Sequence, residues 1–143
     1  MLLATKSAPT RPLSPHLGVY KWGPHMLVSI LHRATGDGMA TVGTILLVWW
    51  LAALSGGPAA YAEFQNDFTK GDGNLNILGY VVAIGLTMSF FQHLMSGIRH
   101  LVMDTGAGFE LKTNKTFAAL TMVASATLSI LFWVYMIGGK THG

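Results

Sequence analysis

The chain has 143 residues, the length of one ordinary domain, yet only 10% are charged and 51% are hydrophobic. An average soluble domain carries roughly 25% charge, and a soluble helical bundle needs charged outer faces that these residues are too few to supply. With no cysteine, the chain can hold no disulfide, thiolate zinc site or cysteine-ligated iron–sulfur cluster of its own. Its excess of basic residues forms no folded patch of the kind that binds nucleic acid.

Residues 1–22 contain Pro9, Pro12 and Pro15 and read as an extended arm on the membrane surface. They include no apolar core long enough for a cleavable signal peptide. Gly23-Pro24 is a helix start signal, because proline suits the first helical turn. Three runs then lack Asp, Glu, Lys and Arg entirely: Gly38 to Ala62, Gly73 to Ile98 and Thr116 to Gly139. Each exceeds the roughly 20 residues a helix needs to cross the hydrocarbon. The predicted spans are about 25–54, 74–103 and 114–137, within one membrane domain covering 1–143. Between the first two lies Ser55 to Asp72, opened by Gly56-Gly57-Pro58 and carrying Glu63, Asp67 and Asp72; it reads as an acidic external loop. Thr105-Gly106 stops the second span. Small residues on the third, among them Ala118, Ser125 and Ser129, suit close helix approach. The expected fold is all-α, an integral membrane three-helix up-down-up bundle with unpacked surface left for other subunits.

Orientation follows from Lys and Arg. Seven of them (Lys6, Arg11, Lys21, Arg33, Arg99, Lys112 and Lys115) lie before the first charge-free run or between the second and third. Only Lys70 and Lys140 lie on the other side. The positive-inside rule places the N-terminus in the cytoplasm, or in the matrix of a mitochondrion.

Two groups of residues carry chemistry. His93 lies inside the second charge-free run, and an ionisable side chain at that depth is a functional-site candidate. It sits roughly 9 Å deeper than Arg99. One turn on, Gly97 bares the same face, which would let a flat macrocycle lie close, and a neutral imidazole is a good haem ligand. His100 returns to that face beside Arg99, where cations could meet haem propionates. Spacing leaves two other readings open: a hydrogen bond to a neighbouring helix with Gly97 as a packing glycine, or a proton relay. The second group is Ser29, His32 and Arg33. Ser29 and Arg33 share a helix face four residues apart, and His25 extends it. Together they could hydrogen-bond a lipophilic carbonyl compound such as a quinone, with protonatable neighbours nearby. A snorkelling arginine bound to lipid headgroups is the alternative.

Arg11-Pro12-Leu13-Ser14-Pro15-His16-Leu17, followed by Ser29-Ile30-Leu31-His32-Arg33-Ala34-Thr35-Gly36, resembles the N-terminal signature of the larger cytochrome b anchor subunit of succinate dehydrogenase. His93 with Gly97-Ile98-Arg99-His100-Leu101 and Met103-Asp104 resembles that family's second signature. The likeness covers most of residues 11 to 106. It implies that His93 is an axial ligand of haem b, with the second axial histidine supplied by the smaller anchor subunit. It further implies that Ser29 and Arg33 help form a ubiquinone pocket, that His32, Arg33 and His100 lie near the haem propionates, and that Asp104 acts at the interface in structure or proton supply. The implied partners are a flavoprotein that oxidises succinate, an iron–sulfur subunit and the smaller anchor. The chain would then be a subunit of an enzyme, contributing the quinone-reduction site but not the dicarboxylate chemistry. Met103 stands where mitochondrial relatives often have tryptophan, which points to a bacterial inner membrane. Competing readings are the anchor of a quinol:fumarate reductase, a non-enzymatic membrane adaptor or small transporter component, and an independent cytochrome b with both axial histidines in its own chain or one from each copy of a homodimer.

Overall fold

A computed structural model describes His16, Gly18, Val19 and residues 21–140. The proline-rich arm, with the Arg11–Leu17 segment of the N-terminal signature, therefore falls largely outside the described residues, whereas Ser29–Gly36 lies within them. Among those residues the chain is helical, with one isolated bridge, Thr69 to Leu75, and no strand. Helix α1 spans Pro24–Ser55 and includes one wider π turn, Met39–Gly43. Helix α2 is Pro58–Phe68, α3 is Ile77–Asp104 and α4 is Leu111–Lys140. Of these, α1, α3 and nearly all of α4 are long and apolar enough to cross a membrane. The chain is a three-helix membrane bundle.

Each boundary has a local cause. Pro24 occupies the first turn of α1, where its missing N–H costs no hydrogen bond. Asn76 caps α3, its Oδ1 accepting from the Gly79 N–H at 2.8 Å. Beyond Asp104, Gly106 and Gly108 both take positive φ, 87° and 79°, a region that glycine enters without steric cost.

The Ser55–Asp72 connection differs from the expected loop, because most of it is helix α2. Gly57 takes φ 89° to turn the chain, and Pro58 then starts the helix. Tyr61, Phe64 and Phe68 follow at helical spacing. Phe64 and Phe68 pack edge-on against Trp49 of α1, with ring centroids 5.1 and 5.6 Å away. That aromatic contact holds α2 against α1, while Glu63 and Asp67 stay exposed. Its end presses on α3, and a Cβ at the buried Gly79 would collide with the Phe68 carbonyl oxygen.

Packing is inverted relative to a soluble protein. Large apolar residues such as Ile77, Val81, Ile130 and Leu131 are exposed, as a surface facing lipid or other subunits requires. The interior is small and polar. Gln92, Ser96 and Arg99 form a buried stripe on α3, facing Ala118, Thr121, Ser125 and Ser129 of α4. The Ser125 hydroxyl donates to Gln92 Oε1 across the interface. Ala118, Ser125 and Ser129 are thus packing residues, as their size suggested.

Candidate functional site: a histidine cluster and a polar cleft at one end of the bundle

His32 lies about 12 Å from the start of α1 and His93 about 16 Å from the end of α3, counted along the helix axes. The two helices run in opposite directions, so both residues fall at the same end of the bundle. Their rings stack, with centroids 4.0 Å apart and planes within 9°. His100, two turns further along α3, also meets His32, with centroids 4.9 Å apart and planes tilted by 58°. His32 is therefore shared by both contacts of a three-imidazole cluster between α1 and α3.

His93 Nδ1 lies 3.0 Å from the His32 carbonyl oxygen and 3.4 Å from Thr35 Oγ1. A carbonyl can only accept, so Nδ1 must carry the proton. In the neutral ring Nε2 is then the lone-pair nitrogen. Anchoring one ring nitrogen on a backbone carbonyl is how a metal-ligating histidine is commonly oriented. The approach is close: a Cβ on Gly36 would sit 2.8 Å from His93 Cε1. One turn beyond His93, a Cβ on Gly97 would meet nothing within 4 Å. Gly97 is thus no packing glycine inside this chain, and the surface beside it is open. An oriented imidazole next to a bare helix face fits an axial haem ligand. No group of three or more His, Cys, Asp or Glu that could chelate a metal occurs among the described residues, and one axial histidine requires none.

A cleft of about 410 Å³ opens beside the cluster, walled by His25 and Ser29 of α1, Arg99, His100 and Met103 of α3, and Asn114 of α4. Ser29 is half-buried there. Arg33, expected to share its site, is exposed and does not line the cleft. Asp104 is exposed at the last residue of α3. Arg99 departs from expectation more strongly. It was placed at the membrane surface beside His100, but it is only 7% exposed and donates from Nη2 to Asn114 Oδ1. Position 99 falls on the α3 stripe set by Gln92 and Ser96, which turns it toward α4.

Thr35, Gly36 and Asn114 complete these surroundings without having been given roles from sequence, whereas His25 lines the cleft beside Ser29, whose face it was expected to extend. Thr35 and Gly36 stood inside a recognised motif, and Gly36 lies one turn from His32. That spacing was the available signal for a close helix approach.

A three-helix bundle built on long charge-free runs, with an oriented histidine and a polar cleft at one end, defines an integral membrane protein with a candidate site at that end. Sequence comparison gives the family. Residues 7–132 match the model of the succinate dehydrogenase/fumarate reductase transmembrane subunit. The succinate dehydrogenase cytochrome b556 subunit of Paracoccus denitrificans is 33% identical over 129 residues, covering 87% of this chain and 94% of that protein. That of Rickettsia felis is 36% identical over 124 residues, covering 87% and 91%. The mitochondrial cytochrome b560 subunit of Sus scrofa is 30% identical over 125 residues, covering 85% and 71%. The chain belongs to the family of cytochrome b membrane anchor subunits of succinate dehydrogenase, and as such is part of an oxidoreductase complex.

Proposed function

We propose that the chain binds haem b and ubiquinone in a succinate:quinone oxidoreductase. In this reading electrons leave a succinate-oxidising flavoprotein, pass an iron–sulfur subunit, and reach quinone at the cytoplasmic side of a bacterial inner membrane. The N-terminus and the α3–α4 connection lie on that side, with the lysines and arginines. The observation that carries the proposal is the orientation of His93: Nδ1 held by the His32 carbonyl, Nε2 left as the lone-pair nitrogen, and open space beside Gly97. Haem b, when bound, supplies a one-electron store. The second haem histidine would come from the smaller anchor subunit, because the His32 ring, though level with His93, is stacked face to face on it and turns no nitrogen toward the same iron. His32 and His100, clustered with His93, and Arg33 on the exposed side of α1 serve the anionic propionates.

Ser29 and Arg33 bind the quinone, Ser29 from within the cleft and Arg33 from its approach. Reduction of a quinone to quinol takes two electrons and two protons. His32 and Asp104, at this end of the bundle with His25 and His100 of the cleft wall, are titratable groups of this chain that can pass protons. The direction of succinate oxidation is supported by the relatives, which are succinate dehydrogenase subunits. The test is spectroscopic. The His93→Ala complex is expected to lose or alter its low-spin b-type spectrum; a native spectrum would remove the ligand assignment.

A further inference from the structure

Arg99 is a buried charge whose hydrogen bonding is far from complete. A guanidinium has five N–H donors. Here Nη2 donates to Asn114 Oδ1, while Nε is buried with no acceptor. Leaving a buried charged donor unsatisfied is costly, so the site calls for a further acceptor. Asn114 is a neutral partner, and no carboxylate is hydrogen-bonded to Arg99 among the described residues.

The cleft beside Ser29 is where that acceptor fits. Its volume of about 410 Å³ lies within the usual range of small-molecule sites. One wall, on α1, presents the Ser29 hydroxyl and the His25 imidazole, whose Nδ1 is also buried without a partner. The facing wall presents Arg99 with Asn114. A p-quinone ring has two carbonyl acceptors pointing in opposite directions, and a cleft with donors on opposite walls matches that pattern. Arg33 is exposed and outside the lining, so the guanidinium that reaches the cleft is that of Arg99.

We propose that Arg99 is a further quinone-binding residue of this chain, donating to one ring carbonyl while Ser29 holds the other. This rests on the reading of the Ser29 cleft as the quinone site. The test uses the whole membrane complex and a short-tail ubiquinone carrying carbon-13 at one ring carbonyl or the other, observed by infrared difference spectroscopy alongside quinone-reduction kinetics. Ser29→Ala is expected to shift one carbonyl band and Arg99→Gln the opposite one. Arg99→Gln should also raise the KM for the quinone at least tenfold. Succinate oxidation with an artificial acceptor and the haem spectrum should stay native.

If Ser29→Ala shifts a band while Arg99→Gln leaves both bands and the KM native, the proposal is overturned and the cleft reading survives. Both substitutions shifting the same band would also overturn it. If neither has an effect, the cleft is not the quinone site and both readings fall. Should Arg99→Gln fail to assemble, Arg99→Lys decides: it keeps the charge but replaces the planar fork by a single ammonium. A raised KM with a shifted band then supports the proposal, and native values overturn it.

Discussion

Replacing Gly36 by alanine should push His93 out of position, although the two residues lie on different helices. The added Cβ would stand 2.8 Å from His93 Cε1 and 3.3 Å from Nδ1, whereas carbon atoms pack best at about 3.5–4.0 Å. The ring must therefore retreat by roughly 0.7–1.2 Å to restore that contact. A shift of that size away from α1 stretches the 3.0 Å bond from Nδ1 to the His32 carbonyl to or past the limit of hydrogen-bonding range. The cost combines overpacking, about 1–3 kcal/mol, with a weakened hydrogen bond, about 1 kcal/mol. Helix propensity acts in the opposite sense, favouring alanine over glycine by up to roughly 1 kcal/mol. The net expectation is a loss of about 1–3 kcal/mol, together with a changed haem spectrum in the assembled complex. Thermal unfolding of the purified complex and its optical and paramagnetic resonance spectra measure the two effects. An unchanged or raised Tm with native spectra would refute the close-approach argument.

Gly97→Ala is the complement. A Cβ there meets nothing in this chain, so helical stability should hold or rise slightly while haem content falls; native haem content would show that no cofactor lies against that face. Arg33→Ala is expected to leave the haem in place and greatly lower quinone reduction, measured against succinate oxidation with an artificial acceptor; native quinone reduction would remove Arg33 from the site. Asn76→Ala removes the cap of α3 and should cost about 1 kcal/mol, read by denaturant unfolding of the complex. In the loop before α3, the Asn74 backbone N–H and side-chain amide both donate to Asp72, holding its carboxyl below the usual carboxylate range. A depressed value means that this contribution is fully present above the unfolded pKa, about 3.9, and is lost as pH falls through the lower folded value. The Asn74 amide resonance should titrate with that low midpoint, and a midpoint at the ordinary value would show that the two hydrogen bonds do not form.

Membrane insertion, three spans and one deep histidine were legible because each depends only on local composition. Lipid demands charge-free helices of fixed minimum length, and residues 38–62, 73–98 and 116–139 meet that demand without reference to their neighbours. The position of His93 inside one such run and the bare face at Gly97 were legible in the same way. Helix α2 was readable in principle: Pro58 and the spacing of Tyr61, Phe64 and Phe68 carry the signal, but Gly56-Gly57 and the acidic residues masked it. What residue spacing leaves undetermined is the rotation of each helix about its axis. That rotation is chosen by which small and polar faces meet, and here the Gln92–Ser96 stripe packs on Ala118, Thr121 and Ser125. It turns Arg99 inward toward Asn114. The packing of α1 on α3 makes His32 the neighbour of His93 and brings Gly36 against its ring. The sequence alone determined that this protein lives in a membrane and which histidine is costly there. Only the packed helices decided which groups orient that histidine, because a contact between two helices is a property of both.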